Sequence, residues 1–290
     1  MVDVGGSLAG ITKRFSRRGP WVLKGVDLEL RPGSRTVIVG GNGSGKSTLL
    51  RIGAGVSRPN GGVVKLPTRI GYVPERLAAR IRFTGAEYLA HMGRIKGLDP
   101  GVIRARSREL LGRLDLQPGP QEPIESLSKG NRQKLVIAQA FLGRVGLLIL
   151  DEPFAGLDPT AHAALGELTD EALSGGTAVL MSTHHTGPDQ AGIRQLRIGG
   201  GQLSEVGLGQ GSRSGSTREM EVELLPTESA QDREKVASIP GVVSARLQQP
   251  QGVLVLVTDH LYIDLVLTTA IALGWSVQSV HARLPDGRPR

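Results

Sequence analysis

The sequence contains no cysteine. That absence excludes disulfides and thiolate-held metals and is compatible with a reducing compartment. No apolar run approaches the ~20 residues that a membrane-spanning helix needs. The nearest stretch, 261–275, is broken by Asp264 and contains Thr268 and Thr269. The first six residues show no basic segment leading into an apolar core, so no signal peptide is expected. Blocks of like charge are missing too: the arginines form only short pairs such as Arg17-Arg18, although the net charge is +8. This balance reads first as compositional bias and next as attraction to an anionic membrane surface. Aromatic residues make up only 3% of the chain. What is present fits one or two soluble globular domains: 290 residues, 39% hydrophobic and 21% charged.

The most informative stretch is Gly40-Gly41-Asn42-Gly43-Ser44-Gly45-Lys46-Ser47-Thr48. It follows the apolar Thr36-Val37-Ile38-Val39 and leads into Leu49-Leu50-Arg51-Ile52, a strand–loop–helix context. Residues 40–47 fit G-x-x-x-x-G-K-[ST], the phosphate-binding P-loop. Residues without Cβ let successive backbone N–H groups point at a polyphosphate, and the helix N-terminus adds positive partial charge. Lys46 is expected to reach the β- and γ-phosphates and Ser47 to ligate Mg²⁺. A nucleoside triphosphate is expected here.

Upstream, residues 7–39 read as antiparallel strands ahead of the loop, with Phe15 and Trp21 between them; either ring could stack on a nucleobase or serve the core. Residues 85–142 read as largely helical, punctuated by Pro100 and Pro118. Ser128 is a good N-cap for a helix with apolar residues at Leu135, Ala138, Phe141 and Leu142. The run Leu147-Leu148-Ile149-Leu150 suits a strand covered on both faces. It ends in Asp151-Glu152, where open α/β sheets bind ligands. Residues 208–217 are rich in Gly and Ser and mark a flexible linker. The remainder alternates strand and helix patterns in β-α-β-β-α-β order, the ferredoxin-like arrangement.

Taken together, the ordered motifs resemble the ATP-binding subunit of an ABC transporter. Leu127-Ser128-Lys129-Gly130-Asn131 looks like that family's LSGGQ signature, Asp151-Glu152 like its Walker B end, Ala155-Gly156-Leu157-Asp158 like its D-loop. The resemblance implies an α/β P-loop NTPase fold over 1–207, with an antiparallel β subdomain and a helical subdomain. Residues 218–290 would form a small α+β ferredoxin-like accessory or regulatory domain. It implies ATP and Mg²⁺ as cofactors, with Phe15 stacking on adenine and Gly41, Asn42, Gly43, Ser44, Gly45, Lys46, Ser47, Thr48 and Glu75 binding nucleotide. Ser47 and Asp151 would hold Mg²⁺. Catalysis would fall to Glu152, His184 and Lys46, with Asp158 in the D-loop. Ser128, Lys129, Gly130 and Asn131 would close on the γ-phosphate of an opposite subunit, in a homodimer or a pair with a related ATPase.

Two departures from the family pattern stand out: Glu75 occupies the Q-loop position and Asn131 ends the signature. The LSKGN wording and Val73-Pro74-Glu75 look like the exporter-type branch with separate transmembrane permease subunits, which would place the chain on the cytoplasmic face of the membrane. The alternative is an ABC ATPase of translation or DNA repair, but the chain has neither a second nucleotide domain nor zinc cysteines. No nucleic-acid partner is expected. An RNA-reading role for 218–290 would need stacking aromatics, and only Tyr262 and Trp275 are available.

Overall fold

The computed structural model describes residues 5–75, 82–183, 193–205, 219–225, 230–237, 239, 242–248, 252–259 and 263–282. The chain divides into two units, Met1–Val206 and Gly207–Arg290.

The first unit is organised around a six-stranded sheet. Strands β3 (Arg35–Val39), β5 (Ile70–Val73), β6 (Leu147–Asp151), β7 (Ala178–Thr183), β8 (Ile193–Gly199) and β9 (Gln202–Glu205) lie in the order β5-β6-β7-β3-β8-β9. All pairings are parallel except β8 with β9. Every residue of β6 is buried, as a strand covered on both faces requires. β3 differs from the expectation that residues 7–39 are all antiparallel. It joins the parallel sheet because Thr36, Ile38 and Val39 are all buried, a burial that a one-sided antiparallel strand does not provide.

A second, antiparallel sheet of β2 (Leu23–Leu30), β1 (Gly6–Lys13) and β4 (Gly61–Lys65) packs its apolar face toward the first. Leu8, Ile11, Leu23 and Val26 share one core with Ile38, Leu196 and the helix α1 (Lys46–Gly53). Buried side chains of this size each contribute roughly 1.5–3 kcal/mol.

The helical segment is split into α2 (Gly85–Ile95), α3 (Pro100–Arg113) and α4 (Lys129–Ala140). Their starts are chemically specified. Thr84 and Glu87 form a reciprocal capping box for α2, Asp99 accepts from Gly101 N–H at 2.7 Å, and Ser128 accepts from Asn131 N–H at 3.2 Å. Together with α5 (Pro159–Ser174) they build a second core in which Leu89, Leu110, Leu114 and Leu135 meet Leu148 and Leu165.

In the second unit, β10 (Glu219–Leu225), α6 (Ala230–Ala237), β11 (Val242–Gln248), β12 (Val253–Asp259), α7 (Ile263–Ala272) and β13 (Ser276–Ala282) follow one another. The strands form an antiparallel sheet ordered β11-β12-β10-β13. Val222, Leu224, Leu254 and Leu256 pack with Val236 and Val266 from the helices. Trp275 is 4% exposed within this core, so it is not a base-stacking surface. Tyr262 and the 208–217 segment lie outside the described residues.

One buried cation holds the far end of α4. Lys96 Nζ donates to Gln139 O at 2.6 Å, and burial lowers its pKa from 10.5 to about 8. Between pH 8 and 10.5 the unfolded chain therefore binds a proton that the folded chain does not, so stability rises with pH across that window. Relative to Lys96→Met, the wild-type protein should gain stability from pH 8 to 10.5 by at most about 1.4 kcal/mol per pH unit, measured by urea unfolding.

Candidate functional site

The loop after β3 is shaped by contacts that exclude side chains. At Gly40 a Cβ would fall 2.8 Å from Ile198 O. Gly45 has φ 107°, and a Cβ there would press on Val22 O at 3.2 Å. Gly45 is also the N-cap of α1 and supplies no capping side chain. The first N–H groups of that helix are thus left for an external acceptor. Lys46 Nζ donates to Gly40 O at 2.7 Å and Gly41 O at 3.2 Å, and lies 3.7 Å from Glu152 Oε1.

The two carboxylates after β6 reach the same place by a turn of the backbone. Neighbouring side chains on a strand point to opposite faces. β6 ends at Asp151, and Glu152 adopts φ 50°, in the left-handed region. Asp151 Oδ1 accepts from Ser47 Oγ at 3.1 Å and from Ser182 Oγ at 2.7 Å. Ser182 Oγ in turn accepts from Glu152 N–H at 3.0 Å. Ser182 was not singled out in the sequence. The signal for it is its register, because β7 sets it directly opposite Asp151.

A cleft of about 280 Å³ collects Phe15, Gly41, Asn42, Gly43, Ser44, Gly45, Lys46, Ser47, Thr48, Glu75 and Glu152. Phe15 is 72% exposed and lines it, whereas Trp21 is not among the lining residues and carries Arg14 over its ring at 4.5 Å. Asp151 is fully buried, and its Oδ2 has no hydrogen-bond partner among the described residues. An unmatched buried carboxylate oxygen beside a serine hydroxyl is a donor set that suits Mg²⁺. Burial, and then the Asp151 charge, raise the pKa of nearby Tyr72. His184 lies outside the described residues.

Ser128, Lys129, Gly130 and Asn131 do not line this cleft. Ser128 and Lys129 are exposed at the start of α4, and a Cβ on Gly130 would lie 2.9 Å from Gly156 O. Behind them sits a residue that the sequence did not single out. Lys134 is 4% exposed, donates to Asp115 O at 2.7 Å and meets Asp158 Oδ2 at 2.6 Å. Asp158 caps α5 by accepting from Ala161 N–H at 2.9 Å. Burial pushes its carboxyl up, but the bonds from Lys134 and Ala161 outweigh this and hold it below its ordinary value. Six residues beyond the N-cap, a lysine reads as a surface residue; only the fold brings it against Asp158.

Residues 23–155 match the family model described as ABC transporter. On this match the first unit is similar to the ATP-binding domains of the ABC transporter family. The domain is 38% identical over 166 residues to the zinc import ATP-binding protein ZnuC of Yersinia pestis, covering 56% of this chain and 64% of that one. It is 32% identical over 190 residues to the Nod factor export ATP-binding protein I of Ralstonia nicotianae, covering 61% and 59%. The matches thus span less than two thirds of these curated relatives. Among solved structures, an ATP-binding subunit of an ABC transporter superposes with TM-score 0.63 at 26% identity, over 70% of this chain and 90% of that one. A dimeric post-hydrolysis cassette, MJ0796 bound to ADP and Pi, shares the fold at TM-score 0.62 and 22% identity, over 70% and 99%.

Within the first unit, Lys134→Met should leave Asp158 capping α5 without its cation. Because Asp158 is partly exposed, the loss should be about 1–3 kcal/mol in urea unfolding at pH 7. The difference from wild type should shrink as the pH falls below 3.8, the ordinary value for an aspartate carboxyl, since stability from a depressed carboxyl is lost when it protonates.

Proposed function

We propose that the chain is the ATP-hydrolysing subunit of an ABC transporter, driving export through separate transmembrane subunits. The observation that carries this reading is the convergence of Lys46, Ser47, Asp151 and Glu152 on one cleft. In this proposal Phe15 stacks on adenine while the loop amides and Lys46 bind the phosphates. Ser47 and Asp151 are the residues that would hold Mg²⁺, which when bound neutralises charge on the β- and γ-phosphate oxygens. Glu152 accepts a proton from the attacking water or orients it, at a position already within reach of the Lys46 ammonium. Glu75 takes the Q-loop place and His184 the place of the switch histidine. Ser128 to Asn131 stand at an exposed helix start away from the cleft, which favours their serving the nucleotide of a second subunit. The second unit, joined through 208–217, would be an accessory or regulatory domain.

Export is supported by the LSKGN wording, by Val73-Pro74-Glu75, and by the Nod factor export relative, whose match is the longer of the two. The zinc import relative supports the opposite direction. Affinity capture from native membranes decides between them. A multi-span membrane subunit without an external substrate-binding protein is expected, and recovery of such a binding protein overturns export.

Glu152→Gln should lower ATP turnover by at least about a hundredfold and accumulate an ATP-bound dimer in size-exclusion chromatography. Ser128→Arg should abolish turnover with nucleotide affinity unchanged. Full turnover by the Glu152 variant refutes its assignment, and lost affinity in the Ser128 variant argues that the signature helix serves its own chain.

A further inference from the structure

One cavity of the first unit lies apart from the nucleotide cleft. It is an open groove of about 940 Å³, lined by residues 67–69, 143–146 and 175–177, which precede β5, β6 and β7. Those are the amino-terminal ends of the parallel strands, whereas the P-loop and the two carboxylates lie at carboxyl-terminal ends. An occupant of this groove therefore does not compete with nucleotide for space.

Its chemistry is specific. The floor is apolar, with Leu98, Phe141, Leu148 and Leu168, and Val102 stands at the rim 51% exposed. Three guanidinium groups surround that floor: Arg69, Arg106 and Arg144. The groove's one acid, Glu171, is already held by both terminal nitrogens of Arg113, at 2.8 and 3.1 Å. Arg106 is held by Glu109 and donates from Nε to Phe141 O at 3.3 Å. Arg69 and Arg144 are exposed and make no side-chain hydrogen bond or ion pair among the described residues. The groove thus offers unmatched positive charge around an apolar, concave floor.

We propose that this groove is a docking site for an acidic segment of a partner protein that carries a bulky apolar side chain. Charge complementarity selects the acid, since carboxylates pair with guanidinium groups in two-pronged geometry. The floor selects the apolar anchor, because Phe141, 7% exposed, lies at the bottom of the concavity below Val102, and a protruding apolar side chain is the group that reaches it. A flat lipid surface does not enter such a concavity. Nucleic acid would need exposed aromatic stacking surfaces, and the groove's aromatic ring, Phe141, is only 7% exposed.

The site also has a route to the signature. Ala140 and Phe141 form part of the wall, and α4 ends there. Ser128 caps the other end of the same helix, about 18 Å away for twelve residues. A carboxylate entering the groove competes with Glu109 and Phe141 O for Arg106, and so loosens one of the cationic contacts on the carboxyl end of α4. The second, from Lys96, remains. This coupling rests on the ATPase reading above; the docking itself does not.

The test uses the full-length chain and a fluorescein-labelled peptide of alternating glutamates with one phenylalanine and one leucine. Fluorescence anisotropy should show saturable binding that weakens with salt. The double variant Arg69→Glu/Arg144→Glu, at exposed positions that leave the core intact, should weaken it by at least about tenfold. Val102→Asp should also weaken it. Equal binding by the double variant overturns the proposal, as does equal binding of a plain polyglutamate peptide, which would mean unspecific charge attraction. Arginine-dependent binding to phosphatidylglycerol vesicles with none to the peptide overturns it in favour of a membrane contact. ATP turnover, measured with and without peptide, reports the coupling separately. Peptide binding with unchanged turnover removes the coupling and keeps the docking, and loss of ATPase activity altogether leaves the anisotropy result intact.

Discussion

A fully buried carboxylate at the end of a fully buried strand is the constraint around which the first unit is assembled. Asp151 has no water to stabilise its charge, so neighbouring groups must do so. Two hydroxyls share one of its oxygens, Ser182 from β7 and Ser47 from α1. Each comes from a different element: the register of β6 and β7 delivers Ser182, and the loop after β3 delivers Ser47 at the start of α1. A slip of one residue between β6 and β7 would remove Ser182 from Asp151 and turn every side chain of the strand to the other face. The apolar packing of the sheet and the polar chemistry of its edge are therefore one requirement.

Much of this was legible in the sequence because the relevant signals are local. Gly40 and Gly45 must lack a side chain where Ile198 and Val22 crowd the loop. Ser128, Asp99 and the Thr84–Glu87 pair announce helix starts through their own backbone bonding. The four apolar residues before Asp151 declare a strand covered on both faces. What stayed hidden depends on long-range placement. Ser182 acquires its role from lying beside a strand thirty-one residues earlier in the chain. Lys134 looks like a solvated helix lysine until the D-loop folds against it. Phe15 and Trp21 could not be separated by composition; the family resemblance singled out Phe15, and of the two it is Phe15 that lines the cleft. The membership of β3 in the parallel sheet was missed for the same reason, since burial on two faces is a property of neighbours.

The second unit was legible for a different reason. Its first strand, β10, alternates along its length, and Val222, Leu224, Leu254 and Leu256 all pack with the helices. Alternation of this kind fixes which face is inside without any knowledge of the other unit. Trp275 illustrates the limit: its indole is spent on the core of this small domain, a use that sequence cannot distinguish from a ligand-facing one.

The backbone at Glu152 has an evolutionary corollary. A side chain bearing Cβ in the left-handed region costs on the order of 1–2 kcal/mol, and glycine would relieve that penalty. Selection for robustness alone would therefore drift toward glycine at this position, while the catalytic role proposed for Glu152 would hold the acid in place. Copies of such a domain that have lost their chemistry but kept their shape should reveal themselves here first, by a firmer fold around a silent site.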